Sequence, residues 1–199
     1  MSQQIVNLTC PGCGAGISTQ QRVCEYCRHP VVITTFNAVS AMSMPEVNKC
    51  AGIYRKALAE CPDHQALNAS VAMCWLKLKL YDPAIAAFEK AMVDNFDDAE
   101  VFFYAAVCLL KGQKAFVASR AAIDRAVEYV RAALMIEERG IFHYFLAYLR
   151  YDYFHRKFLN TTPDYQTTLQ TALEAGVSVN DAQQLFALLG VEQPGELAF

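Results

Sequence analysis

Long apolar runs are missing from this 199-residue chain: the longest, Val101 to Leu110, spans ten residues and stops at Lys111. A membrane-spanning helix requires about 20 such residues, so no transmembrane segment is expected. The N-terminus, Met-Ser-Gln-Gln, also lacks the basic stretch, apolar run and small-residue cleavage site of a secretory signal. The location expected on those grounds is cytoplasmic. Nor is there an excess of basic charge. Seventeen Lys and Arg stand against twenty Asp and Glu, a net charge of −3, which argues against sequence-independent affinity for nucleic acid over the whole surface. Glycine is scarce outside one cluster: three of the nine fall at positions 12, 14 and 16, and only Gly52 lies between Ser43 and Gly112. No Gly-rich phosphate loop can be built from that distribution.

What the chain does have is cysteine, eight residues of it, four of them between positions 10 and 27 among Pro11, Gly12, Gly14, Gly16 and Pro30. In a reducing compartment disulfides are not the default, which leaves metal ligation or core packing. Cys10-Pro-Gly-Cys13-Gly and Cys24-Glu-Tyr-Cys27-Arg are two Cys-x-x-Cys turns separated by ten residues. Two thiolates at that spacing point into one turn, and Gly14 lets the backbone curl behind them. Four thiolates at about 2.3 Å suit Zn2+, and a shell closed by four protein ligands lacks the open position that hydrolytic chemistry requires. The expected cofactor is therefore one structural zinc held by Cys10, Cys13, Cys24 and Cys27. Such a metal contributes on the order of 10–16 kcal/mol, enough to fold a segment too small for a core of its own. Iron in a rubredoxin-like site and redox use of one cysteine pair are the rivals. The redox rival expects a single pair ahead of a helix in an alternating strand-helix pattern.

Cys-Pro-x-Cys-Gly followed by Cys-x-x-Cys and the Val/Ile-rich run Val31 to Phe36 resembles a short zinc ribbon over about 30 residues. The run is read as a strand that completes the module, which gives a ribbon over 1–36, a linker at 37–43 and a helical domain over 44–199. Ribbons of this kind serve as nucleic-acid contacts, protein-docking knobs or structural caps.

From Ser43 onward apolar residues recur at three- and four-residue steps. Tyr54-Arg-Lys-Ala-Leu and Phe88-Glu-Lys-Ala-Met align at a separation of 34 residues. This period resembles the tetratricopeptide repeat (TPR), and the fold class implied is mainly α, a short TPR-like solenoid behind a small zinc ribbon. The clearest copy runs from Gln65 to Asp98, with Val71 and Ala72 at the close-packing pair, Trp75 at the aromatic site, and Ala84, Phe88 and Ala91 in the second helix. Asn68 stands where the family often has Trp, and Phe96 where it often has Pro. The preceding copy shows mainly its second helix, 46–60. The following copy begins at Ala99, is about eight residues longer than the 34-residue period, and is read with a long second helix. A further helix is expected over 141–157. Helices over 164–174, ending before Gly176, and from Ser178 or Asn180 to Leu189, ending at Gly190, are read as C-terminal caps within 160–199.

The resemblance implies a concave groove lined by helix A residues, here Met73, Leu76, Phe103, Val107, Phe142, Phe145 and Leu149. It would be apolar, without the Lys/Asn/Arg set that clamps a terminal carboxylate, and filled either by a protein partner or by the chain's own ribbon or final helices. Cys50, Cys61, Cys74 and Cys108 read as small hydrophobes, with Cys61 beside Pro62 the most exposed. His64, His143 and His155 lack a Ser, Cys or paired carboxylate at catalytic spacing, so no enzyme is expected. The reading is a non-enzymatic adaptor that binds protein. Its alternative is a nucleic-acid module using Arg22, Tyr26 and Arg28, aided by Arg150, Arg156 and Lys157, and a third possibility is a homo-oligomer joined through the apolar strip. If the ribbon is independent, Cys13→Ser releases the metal and unfolds the first 36 residues, while circular dichroism of the helices stays nearly unchanged.

Overall fold

The computed structural model describes residues 5–93, 95 and 97–199. The backbone divides into two compact units, Met1–Asn95 and Phe96–Phe199. Phe96, the departure from the repeat pattern noted above, lies outside the described residues.

The first unit opens with two three-residue strands, β1 (Asn7–Thr9) and β2 (Gly16–Ser18), paired antiparallel with Leu8 opposite Ile17. A short helix α1 (Phe36–Ser40) precedes α2 (Met44–Glu60), α3 (Gln65–Lys77) and α4 (Tyr81–Met92). α2 starts where its sequence dictates: Ser43 and Glu46 form a capping box, and Pro45 occupies the first turn, where its missing N–H costs nothing. α3 and α4 are the two helices of the clearest repeat. Val71, Ala72, Ala84, Phe88 and Ala91 are all completely buried, so the small residues bring the helices close and Phe88 fills the space beside them. Asn68 replaces the expected aromatic residue by bonding: its Nδ2 donates to Pro62 O at 2.8 Å and His64 O at 3.1 Å, tying the start of α3 to the preceding turn.

The run Val31 to Phe36 is not a strand. It is an irregular segment leading into α1, and it lies on α3: Ile33 N donates to Ser70 Oγ at 2.8 Å, and Lys77 Nζ donates to Ser40 O at 2.7 Å. Val31, Ile33 and Val39 are buried. Of the residues expected to form a linker, 37–40 belong to α1.

The second unit begins with α5 (Ala99–Leu109) and α6 (Arg120–Ile136), followed by α7 (Gly140–Leu149), α8 (Tyr165–Glu174) and α9 (Val179–Leu189). Ala105 and Ala106 are fully buried at the packing positions of α5. The extra length of this copy is shared between the expected long second helix, α6 with 17 residues against 12 in α4, and the α5–α6 connection, which contains a 3-10 turn over Ala115–Val117. It is pinned by Ala115 N donating to Tyr148 Oη at 3.2 Å and Phe116 N to Asp152 Oδ2 at 2.8 Å. The expected helix over 141–157 is α-helical only to Leu149, then widens into a π turn over Arg150–Phe154 and tightens to 3-10 over His155–Lys157. Widening a turn rotates the side chains that follow, and here Asp152 is buried, where the pinned loop needs an acceptor. Ser178, one of the two caps expected, opens α9, and Gly190 ends it as expected, in the left-handed conformation at φ 68°; Asp164 caps α8.

Gly140 marks the tightest approach in this unit. A Cβ there would stand 2.5 Å from Val177 N and 2.9 Å from the carbonyls of Ala172 and Ala175. All three are backbone atoms and cannot rotate aside. Gly140→Ala is expected to lower unfolding stability by about 2 kcal/mol through overpacking, measured as a lower denaturant midpoint at unchanged slope.

Candidate metal centre

Two equivalent turns build the site. In the first, Cys10 N donates to Ala15 O at 2.7 Å and Gly14 N to Cys10 O at 3.0 Å; in the second, Cys24 N donates to His29 O at 2.8 Å and Arg28 N to Cys24 O at 2.9 Å. Strands β1 and β2 close the first turn, and an antiparallel bridge between Val23 and Pro30 closes the second. The residue after each second cysteine adopts a left-handed backbone, Gly14 at φ 85° and Arg28 at φ 62°. Glycine reaches that conformation freely, whereas an L side chain costs about 1–2 kcal/mol. The geometry is held in both turns despite that cost in the second.

Together the turns bring all four sulfurs within 4.8 Å of one another. Cys10 Sγ lies 3.5 Å from Cys27 Sγ, and Cys13 Sγ 3.7 Å from Cys24 Sγ. A tetrahedron with bonds of about 2.3 Å separates its ligands by about 3.8 Å, so the sulfurs fit a four-coordinate thiophilic ion. Cys10 and Cys24 are buried, while Cys13 and Cys27 are exposed. Gly12 has a steric role: a Cβ there would be 2.9 Å from Cys27 Sγ and 3.1 Å from His29 Cβ.

Helix α2 supplies a flank that the cysteine spacing did not reveal. Lys49 Nζ donates to Gly12 O at 3.3 Å, and Cys50 Sγ lies 3.8 Å from His29 Nε2. Tyr54 is completely buried, and its electrostatic neighbours are Cys50, Cys74 and Cys10. Burial raises the thiols of Cys50, Cys74 and Cys108, which favours the neutral form and fits their reading as packing residues. Cys61 is the partly exposed one of this group. One polar clue was present in sequence: Ser70 lies on the apolar face of α3, fully buried, and its partner is the Ile33 backbone.

The residues expected to line a groove have a different fate. Met73, Leu76, Phe103, Val107, Phe142, Phe145 and Leu149 are all buried, none more than 5% exposed. In the first unit the segment leading into α1 lies on α3, the helix that carries Met73 and Leu76. In the second, the Phe103 ring meets Phe142 at 4.8 Å and Phe145 at 5.7 Å, and Phe186 of α9 packs on Tyr144 and Tyr148. They are core residues, not an open strip. Arg150, grouped above with surface cations, is also buried and donates to Thr168.

The histidines fall into separate places. His64 caps α3, its Nδ1 3.4 Å from Leu67 N; His143 Nε2 lies 3.6 Å from Glu138; His155 stacks on Tyr151.

No family model and no curated protein matches the chain. Among solved structures it is similar to the TPR-like helical protein MamA AMB-1, with a TM-score of 0.52 and 17% identity over 72% of this chain and 80% of that one. A second structure, MamA MSR-1, has a TM-score of 0.44 and 15% identity over 74% and 79% of the respective chains. The first likeness shows the fold, a mainly α, TPR-like helical solenoid. No helix of the described residues is long and apolar enough to cross a membrane.

Because the cysteine turns share a compact unit with α2 and α3, opening the sulfur cluster is expected to cost helicity as well as metal. Cys13→Ser should lower bound metal to a small fraction of one equivalent and reduce the helical circular dichroism, in place of the unchanged signal an independent ribbon would give. Gly12→Ala, which crowds Cys27 Sγ without removing a ligand, should weaken metal retention about tenfold in chelator competition.

Proposed function

We propose that the protein is a non-enzymatic protein-interaction adaptor whose four-cysteine module holds one structural zinc ion. The observation that carries the reading is the pairing of a closed thiolate shell with a TPR-like stack. All four positions around the ion are filled by Cys10, Cys13, Cys24 and Cys27, so the metal would fix the turns and leave no site for a reacting ligand. Thiolate softness and tetrahedral spacing favour zinc, with iron the competing ion for the same donors. Stacks of helix pairs present extended surfaces suited to protein recognition, and the likeness to MamA supports that use here. With the seven apolar helix A residues buried, partner recognition is assigned to exposed surfaces. The second cysteine turn is one, with Tyr26 77% exposed between the exposed Cys24-turn residues Arg22 and Arg28.

The same Tyr26, Arg22 and Arg28 favour the rival reading, a nucleic-acid contact through the ribbon. Tagged full-length protein, captured from its source cytoplasm with and without nuclease, separates the two. One or two proteins recovered stoichiometrically and unaffected by nuclease are expected, with retention little changed by salt. Loss of the captured material on nuclease treatment, or a steep fall with salt, would transfer the function to nucleic acid. A homo-oligomer would show as a concentration-dependent mass in sedimentation. Elemental analysis is expected to give one zinc per chain, and iron in its place would overturn the zinc assignment.

A further inference from the structure

Among the described residues of the second unit, one buried charge stands without a counter-ion. Arg150 opens the π turn at the end of α7 and is 5% exposed. Its Nη1 donates to Thr168 Oγ1, and the Thr168 hydroxyl donates in turn to Asp164 O, so the guanidinium lies beside the first turn of α8. That contact uses one N–H of a group that carries several more. Nε and Nη2 have no partner among the described residues, yet neither is sealed from solvent.

A second guanidinium, that of Arg131 on α6, belongs to the same place: α6 packs on α7, and Arg131 is an electrostatic neighbour of Arg150. Burial first, and then Arg131, draws the Arg150 guanidinium below its ordinary value, while Asp164 acts in the opposite direction. Asp164 does not neutralise the pair. Its Oδ1 accepts from Thr167 N at 2.8 Å as the cap of α8, and neither Arg131 nor Arg150 forms an ion pair with a carboxylate among the described residues. Three other arginines of this unit do have such a partner: Arg120 pairs with Asp124, Arg139 with Glu100 and Arg156 with Asp152. The N-terminal end of α8 adds a contribution of the same positive sign.

A buried cation is ordinarily paired, because its desolvation is costly without an opposite charge, and a like charge beside it adds to that cost. An anion arriving from solution at the unpartnered nitrogens removes both penalties. We propose that Arg150 and Arg131 bind a phosphate group, presented by inorganic phosphate or by a small phosphate monoester. Two guanidinium groups from different elements match a tetrahedral dianion, which offers separate oxygens to each. A planar carboxylate is satisfied by one guanidinium fork and leaves the second cation uncompensated. A phosphodiester within a nucleic acid carries a single charge and substituents on two of its oxygens, which does not suit a guanidinium held inside the fold.

Isothermal titration of the full-length, metal-loaded protein, freed of excess metal, with inorganic phosphate and with O-phosphoserine tests this, with acetate at matched ionic strength as the control. Saturable binding is expected for a phosphate ligand, with acetate weaker by about tenfold. Tighter binding of either phosphate ligand supports the site and identifies its source. Arg131→Gln, a change at an exposed residue, should weaken binding about tenfold, whereas Lys114→Gln, the same loss of charge at an exposed residue of the same unit, should leave it unchanged. Arg150→Met removes an unpaired buried charge, so it should abolish binding without lowering Tm in phosphate-free buffer. The rise in Tm that phosphate gives the wild type should vanish with it. The proposal is overturned by absence of phosphate binding, by equal loss in Lys114→Gln, or by an Arg150→Met variant of lower Tm when phosphate does not raise the Tm of the wild type. A single-stranded oligonucleotide that binds more tightly than either phosphate ligand, and loses its affinity in Arg131→Gln, overturns it as well.

Discussion

The tetrahedral demand of four sulfurs is the constraint on which the first unit depends. Bringing Cys10 and Cys24 into one cluster also fixes where the chain leaves the second turn, at Pro30, and therefore where Val31 and Ile33 meet α3. A two-strand sheet of three-residue strands cannot provide that control. Its paired surface is too small, and short hairpins are marginal without further support. The sulfur cluster and the helical face consequently support each other: the turns deliver residues 31–40 to α3, and α2 covers the turns with Lys49, Cys50 and Tyr54. Ser70 shows the tightness of that junction. Its hydroxyl serves a buried backbone amide that would otherwise be left unpaired, a loss of about 1–3 kcal/mol.

The second unit solves a different problem with different chemistry. It has an inserted loop with backbone donors to satisfy and no sheet to receive them. The solution is a helix that changes pitch. Asp152 is 1% exposed yet accepts from Phe116 N and Tyr148 Oη and pairs with Arg156, so a buried carboxylate is compensated at each end. Removing one partner of such a charge is costly, since the other remains desolvated. The carboxylate is thus the anchor of the loop, and the loop tip gains order from it rather than from apolar contacts of its own.

Local chemistry explains which features could be read in advance. Each cysteine turn is specified within five residues, and each helix cap within four, so the four-cysteine cluster, Ser178 and Gly190 were legible. The repeat could be read because small residues at Val71, Ala72, Ala84 and Ala91 sites recur at a fixed period. What could not be read depends on distant neighbours. Val31 to Phe36 has β-branched composition, yet no adjacent strand offers it a ladder, and the side chain of Ser70 gives Ile33 N a partner on a helix instead. The π turn is invisible for the same reason: the apolar pattern of 141–157 is helical throughout, and only Asp152's need to reach Phe116 N selects the wider pitch. The groove residues were placed correctly on their helices, but their burial depends on α1, α9 and the facing aromatic rings.

That burial changes how the repeat architecture is used. In a long solenoid, helix A faces are free because neighbouring repeats cover only the sides of each unit. In each unit here some of that surface is covered by irregular or terminal elements, by residues 31–40 on α3 and by Phe186 and Phe199 on α7. Once those faces are committed to stability, specificity has to reside in side chains that the helical period does not determine. Residues such as Tyr26 and Phe158 meet that description: Tyr26 lies in a tight turn and Phe158 follows one, both are highly exposed, and neither contributes to a core. Left-handed backbone at residues other than glycine occurs at Arg28 and Phe158, and equally at Lys79 and Lys111 just past the ends of α3 and α5, so it marks chain reversals in general. Exposed aromatic side chains that no core contact holds are the kind of surface on which such specificity could rest, whereas the reversals themselves are explained by the helix ends and turns they close.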